Sequence, residues 1–467
     1  MGIFGTIYTS YSGVYTTTIG MRATADNIAN LNTTGFKGSR YEFANQSIIA
    51  TNEAFTKEKG LGSKVKDIRT LYTQGGINTT DIPTDLAISG KGFFIVSDKR
   101  GDIFYTRDGQ FFVNQVDENH FALQNSVGLY LLGADPTAET ADLASLKPYL
   151  IPKVMPPQGT SEINLQVIFD SRKSVEEIDD PLWGNYNATQ EVPLNEGKYE
   201  FVWSLPIYDN LGERRVLQLY ADRTSNPNEY EVLVALEDPT LDGRGEGPYQ
   251  GAFLYGILSF GGNGDITDAK FWEITNPSYF DPNVDPPLDL TTLGRPQFNL
   301  NIQGNTQTIT LDLGFKVEKD GSITRASYAS KLLANPFVQL YYNQNGYSQG
   351  MFDKIEVITE EGLIKAWYTN GQNLEVAKIF LADFTGYEDS LMKIGSNLFL
   401  AKEGVTPFIF APGFHERGRV VSGGLEGANV DLAMEMISLI VLQRAFQSNV
   451  RTIVTADQLL EYFFNKV

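Results

Sequence analysis

The sequence predicts an α+β chain, mainly β, with a long helix at each end and a β-rich middle. Three observations carry this. Apolar residues recur at alternating steps of four and three near both termini. Between them the pattern changes to period two with frequent turn residues. The many Gly, Tyr and Phe residues (44, 23 and 29) lean toward β-structure. At 467 residues the chain is too long for one compact core and suggests two to four domains.

At the N-terminal end, Ile7, Tyr11, Val14, Thr18, Met21, Ala25 and Ile28 form a heptad-like stripe, with Thr18 as its one polar member. The helix is expected to stop near Asn30–Asn32, because Asn tolerates the left-handed conformation and Gly35 follows. At the other end the same alternation runs through Leu432, Met436, Leu439, Gln443, Phe446, Val450, Ile453, Asp457, Leu460 and Phe464, broken at Gln443 and Asp457. Asp431 stands where a carboxylate favours a helix N-terminus. Met434, Ile437, Ile440 and Val441 lie off the main stripe. Two helices packed on an ordinary core would account for the stripes alone, but a terminal helix that is apolar on several faces points to self-association. Association is therefore expected to be what orders both helices.

The middle reads as strands and turns. "GFFIVSDKRGDIFYTRDGQFFVN" (92–114) holds three short β-type runs, and Asp108-Gly109 between the last two predicts a hairpin. A strand follows in "SVGLYLLGAD" (126–135). A second hairpin is expected around Asn210–Gly212, and a strand–turn–strand series over 354–384. Pro-rich joints such as "KVMPPQGTSE" and "YFDPNVDPPLDL" read as loops or domain edges.

Charge and chemistry exclude several function classes. A net charge of −20 argues against a nucleic-acid partner and against adsorption to anionic lipid. With no Cys there is no disulfide, thiolate metal site or Cys nucleophile. The N-terminal "MGIFGTIYTSYSGVYTTTIGMR" lacks the basic start and unbroken apolar run of a secretory signal, and no run of about 18 apolar residues exists to span a membrane. His120 and His415 have no neighbouring His or Cys. "DGRGEG" (242–247) lacks the strand-to-helix setting of a phosphate loop, "EEIDD" (176–180) reads as a solvated acidic face, and the sequons at Asn32, Asn45, Asn78 and Asn187 are matches expected by chance. No catalytic, cofactor or metal site is singled out.

Three ordered blocks carry a resemblance. "NIANLNTTGFK" (27–37) is similar to the N-terminal signature of the axial proteins of the bacterial flagellum, with Asp26 where many relatives have Asn. "QGGINTTDIPTDLAISGKGFFIVSDKRGDIFYTRDG" (74–109) resembles the block that follows it in that family, and "GLEGANVDLAMEMISLIVLQRAFQSNVRTIVTADQLL" (424–460) its C-terminal signature, with Ala428 where Ser is usual. "NGYSQG" (345–350), "YTNGQ" (368–372) and "LMKIGSNLF" (391–399) also look like family elements, so the resemblance covers about 1–150 and 320–467.

The resemblance implies a nested organisation. Residues 1–35 with 425–467 would form a terminal helical inner-tube domain of coiled-coil type, 36–75 an extended connector, 76–172 with 313–424 an inner β-rich domain, and 173–312 an inserted outer β-rich domain. It implies a non-enzymatic subunit that polymerises into the hook, a curved tube acting as a universal joint for motor torque. Rod proteins share the signatures but are usually shorter, so the β-rich insertion favours hook over distal rod. Implied partners are further copies of the chain, the rod, the hook cap and hook–filament junction proteins, and the type III export apparatus. Cofactors, nucleic acid and membrane insertion are not implied, and the place of action is the flagellar hook outside the cell. The implied assembly residues are Ile7, Tyr11, Val14, Met21, Ala25, Ile28, Asn30, Leu432, Met436, Leu439, Phe446, Val450, Ile453, Leu460 and Phe464. Two readings of other classes stand beside it. An extracellular β-rich adhesion protein would explain acidity and Gly/Thr content but not the paired helices. A carbohydrate-active enzyme would require a cleft with close carboxylates.

Overall fold

The computed structural model describes residues 3–52, 55–173, 181–414 and 417–466, with backbone alone at 48–52, 55–59 and 465–466. His415 and the acidic run 176–180 lie outside the described residues. The architecture is α+β and mainly β. Two long helices, α1 (Ile3–Ala29) and α2 (Leu432–Lys466), bracket a chain of short strands. No described helix is long and apolar enough to cross a membrane.

The chain divides into two compact units. The first comprises Met1–Lys153, Phe352–Tyr368 and Asn373–Val467, and the second comprises Val154–Met351 with Thr369–Gln372. The second unit is thus inserted into the first, and its limits lie outside the expected 173–312. The cause is the strand Glu162–Asp170. It pairs with Asn305–Asp312, Lys331–Leu333 and Val338–Gln344, which places it in the sheet of the insert.

In the first unit, 36–75 is not an extended connector. It forms a long antiparallel hairpin of β1 (Ser39–Asn52) and β2 (Phe55–Thr70), in register from Ser39↔Thr70 to Asn52↔Phe55. The hairpin folds back because α1 offers it a face of small hydroxyl residues. Ser63 donates its N–H to Ser12 Oγ at 3.1 Å, and the Ser63 and Thr16 hydroxyls lie 2.9 Å apart. Gly62, at φ +99°, fits there because a Cβ would lie 1.9 Å from Ser12 Oγ.

The three β-type runs of 92–114 are strands Phe93–Ser97, Ile103–Thr106 and Phe111–Gln115. The predicted Asp108-Gly109 hairpin does not form. Ile103–Thr106 pairs with Phe93–Ser97 and Leu398–Ala401, while Phe111–Gln115 pairs with His120–Asn125. Gly109 instead allows a close crossing: Leu86 N–H bonds its carbonyl at 2.9 Å, and a Cβ would sit 1.6 Å from Leu86 O. An aromatic core of Phe93, Tyr105, Phe380, Phe384 and Phe399 holds this body together, with Tyr72 and Tyr387 packed against it.

The insert holds two five-stranded sheets and a two-stranded ribbon of Phe315–Val317 with Ile323–Arg325. One five-stranded sheet is an antiparallel meander of Phe201–Tyr208, Arg214–Arg223, Glu229–Leu236, Ala252–Phe260 and Ile266–Glu273. Its first hairpin is the one predicted around Asn210–Gly212. The other is the five-stranded sheet around Glu162–Asp170, whose alternate residues Ile163, Leu165, Val167 and Phe169 point into the shared core with Leu219, Val232, Phe253, Phe298 and Leu311. Val338–Gln344 pairs in this sheet with Glu162–Asp170, with a register shift between Gln166 and Val167 that leaves Leu340 with no partner in the ladder.

Candidate assembly site

Both terminal helices are formed within the single chain, and they pack on each other. The seam is not the apolar stripe. The buried residues of α1 are Ser10, Thr16, Thr17, Gly20, Thr24 and Asn27. Gly13 faces Asn449, Gly20 faces Leu442, and Asn27 Nδ2 donates to Glu435 Oε1 at 2.9 Å. The three contacts are seven residues apart on each helix and run in opposite directions, which fixes an antiparallel heptad register. Small residues permit the close approach. A Cβ on Gly20 would lie 3.1 Å from both Leu442 Cδ2 and Phe43 Cζ. Two hydroxyls on this face bond back along the helix, Thr17 to the Gly13 carbonyl at 2.7 Å and Thr16 to that of Ser12 at 3.0 Å, while Thr24 Oγ1 is buried with no partner among the described residues.

On α1 this arrangement turns the predicted stripe away from the partner helix, whereas the α2 residues Leu439, Phe446, Ile453 and Leu460 flank the seam. On α1 the stripe sits one residue, about 100°, round from the seam. Tyr11, Ala25, Leu432, Met436 and Phe464 are exposed, and Ile7, Val14, Met21, Ile28, Asn30, Leu439, Phe446, Val450, Ile453 and Leu460 are half-buried. Asn30 is engaged locally. Its Nδ2 donates to the Asp26 carbonyl at 2.9 Å, closing the last turn of α1. Sequence reasoning missed a second exposed ridge, Phe4, Tyr8, Tyr11 and Tyr15, whose steps of four and three are legible once the seam is known. Met434, Ile437, Ile440 and Val441 of α2 are exposed as well. Asp431 caps α2 as anticipated, accepting from Ala433 N–H at 2.8 Å and Met434 N–H at 3.2 Å.

Both helices are tied to the β body at one junction. Gly35, at φ +66°, lies so close to the chain at Arg107–Asp108 that a Cβ would be 2.5 Å from Asp108 N, and its N–H bonds the Glu426 carbonyl at 2.7 Å. Phe36 is buried beneath the Lys393 ammonium, 4.1 Å from its ring centre. Asn27 bonds both the N–H and the carbonyl of Ser39 at 2.8 Å, and Asn429 accepts from Gly38 N–H at 2.7 Å. At the centre lies an ionic cluster that sequence reasoning did not foresee. Lys37 Nζ reaches Glu426 Oε1 at 2.6 Å, and Arg107 Nη1 reaches Glu426 Oε2 at 3.0 Å. The side chains of Lys37 and Glu426 are 0% exposed and that of Arg107 3%. Lys37 also donates to the Thr73 carbonyl at 2.8 Å, Arg107 Nη2 to that of Gly90 at 2.9 Å, and Gly75 N–H to Glu426 Oε1 at 3.0 Å. Burial pushes the Lys37 ammonium below its ordinary pKa; Glu426 opposes this and the Arg107 charge adds to it. The signal available in the sequence was that each of the three resemblance blocks contributes one of these charges.

The same blocks match known families. Residues 7–37 match the flagella basal body rod protein model, and 87–166 the flagellar hook protein FlgE/F/G D1 domain. Residues 179–347 match the flagellar basal body protein FlaE D2 domain, and 421–465 the flagellar basal body rod FlgEFG protein C-terminal model. Over its whole length the chain is 28% identical, across 474 residues, to the flagellar hook protein FlgE of Borreliella burgdorferi, covering 97% of this chain and 98% of that one. The chain belongs to the flagellar rod and hook protein family. The hook protein FlgE of Salmonella typhimurium is likewise 28% identical (97% and 98% covered), and that of Brucella abortus 27% (100% and 99% covered). Among solved structures, the Helicobacter pylori flagellar hook protein FlgE2 aligns at 16% identity and a TM-score of 0.44, covering 73% of this chain and 98% of that one. In this member of the rod and hook family, the N-terminal rod match ends at Lys37, and the D1 and C-terminal matches contain Arg107 and Glu426. The ionic cluster is therefore where three family segments meet.

Proposed function

We infer that the protein is a structural subunit of the bacterial flagellar hook that polymerises with further copies of itself through its terminal helices. One observation carries this reading. The α1–α2 pair is closed on the α1 side by small and polar residues, while Phe4, Tyr8, Tyr11 and Tyr15 on that helix and Met434, Ile437, Ile440 and Val441 on the other are left in water. A monomer gains nothing from that distribution. At about 25 cal/mol per Å² of apolar area, covering each large side chain recovers roughly 1.5–3 kcal/mol. The stripe and ridge residues are the proposed interface, and the helix pair the inner-tube domain.

The likeness over nearly the whole chain to proteins named flagellar hook protein supports hook over rod. In this reading the inserted β unit is the outer domain, whose weak contacts with its neighbours slide as a curved tube rotates. Rod, hook cap and hook–filament junction proteins are the proposed partners at the ends of the tube, and the type III pathway the proposed export route. The reading assigns no catalytic step, and among the described residues the His120 ring pairs with Asp117, at 2.9 Å. Electron microscopy of the concentrated protein tests it: hollow helical tubes are expected, and dispersed monomers at every concentration would overturn it.

A further inference from the structure

The junction cluster holds two cations and one anion. Among the described residues, Glu426 is the carboxylate within ion-pairing distance of both Lys37 and Arg107, and it binds them through different oxygens. Arg107 Nε is buried with no hydrogen-bond partner among the described residues. An excess positive charge is thus sealed away from water, where like charges repel more strongly than at a surface. The positions of the three residues in the chain matter. Lys37 and Arg107 lie in its first quarter, and Glu426 lies six residues before the first residue of α2.

We propose that Glu426 is a closure switch: the exit of α1 docks on the β body only when residue 426 supplies the anion that two buried cations share. Before the C-terminal segment is in place, docking Phe36 and Lys37 would bring an unneutralised ammonium beside the Arg107 guanidinium. Burying a charge without its partner is strongly unfavourable, so α1 stays undocked. When the segment Gly424–Glu426 pairs with Ile77–Thr79, it carries in the carboxylate. That step also completes the backbone bonds of the junction, from Gly35 N–H to the Glu426 carbonyl at 2.7 Å and from Gly427 N–H to that of Gly76 at 2.8 Å. Because Glu426 lies only six residues before α2, docking of the first helix and arrival of the second become one event. α1, with its exposed aromatic ridge, is never docked alone on a half-finished subunit. The inference concerns the single chain and holds whether or not the helices build a tube.

Hydrogen exchange on dilute full-length protein tests this with three variants, read at the Gly35, Gly75 and Gly427 amides. Glu426→Gln keeps the shape of the side chain but removes the anion. It is expected to lower protection there on the order of 100-fold, with amides of Phe201–Tyr208 in the insert unchanged. Lys37→Met leaves the neutral Arg107–Glu426 pair and is expected to stay within about threefold of the parent. The double variant Lys37→Met/Glu426→Gln carries one buried cation fewer than Glu426→Gln, so it is expected to recover about tenfold of the lost protection. A Glu426→Gln variant as mild as Lys37→Met would show that packing, not charge, closes the junction. If Glu426→Gln leaves the first unit unfolded, recovery by Lys37→Met still supports the switch, and no recovery overturns it.

Discussion

Replacing Gly35 by Ala separates two costs that usually arrive together. Gly35 has φ +66°, so any side chain there takes on left-handed strain of about 1–2 kcal/mol. Its Cβ would also meet Asp108 N at 2.5 Å, Arg107 C at 2.6 Å and Arg107 O at 2.8 Å. These are backbone atoms, and Arg107 is pinned by Glu426 and the Gly90 carbonyl, so the clash cannot be relieved by turning a flexible side chain. Overpacking of this kind adds about 1–3 kcal/mol. The first unit should therefore lose about 2–5 kcal/mol, a large part of a typical folding free energy. Gly101 is the control: its φ is +94°, and a Cβ there would touch nothing within 4 Å, so Gly101→Ala should cost the strain alone. Because two units unfold in one chain, the assay is pulsed hydrogen exchange across a urea series, read on peptides from Phe93–Ser97. A Gly35→Ala midpoint no lower than that of Gly101→Ala would refute the close approach at the junction.

Two further outcomes follow from the same geometry. Tyr11→Ser combined with Ile437→Ser should leave the urea midpoint of the dilute monomer nearly unchanged, because both side chains are exposed, yet raise the concentration needed for polymerisation at least tenfold; sedimentation of polymer against total protein measures this. Hydrogen bonds from the Arg172 side chain hold the Asp170 carboxyl down at about 2, below its ordinary 3.8. The Asp170 carboxyl is a depressed acid: the stabilisation is present above pH 3.8 and is lost as pH falls through about 2, so Asp170→Asn should lower the urea midpoint of the insert at pH 7 and match the parent below pH 2, as read by pulsed hydrogen exchange on peptides from Phe201–Tyr208.

The sequence was informative where local chemistry decides the outcome. The Asn-rich end of α1, the Asp431 cap and the hairpin at Asn210–Gly212 each depend on residues within a few positions of one another. It misled where a local signal served a distant contact. Asp108-Gly109 has hairpin chemistry, but its glycine is needed for the crossing with Leu86. The seam of α1 was overlooked because apolar periodicity finds faces that seek partners, and this face is built of Ser, Thr, Gly and Asn whose fit depends on close approach. The α1 stripe that periodicity did find lies beside this seam. The Lys37–Arg107–Glu426 cluster joins positions separated by up to 389 residues, and no local pattern encodes that meeting.

The unpaired Leu340 has a consequence at high copy number. In a regular array each insert would lie beside identical inserts at a very high local concentration. Under those conditions an open, well-ordered sheet edge is a template for its own image, and copies could zip edge to edge into an irreversible aggregate. The strand Val338–Gln344 carries exposed Val338, Leu340 and Tyr341, the composition that would favour such pairing. The register shift at Gln166–Val167 interrupts the ladder in the middle of that strand. A neighbouring copy is denied a continuous run of matching donors and acceptors, and contacts between inserts remain ones that can break and re-form.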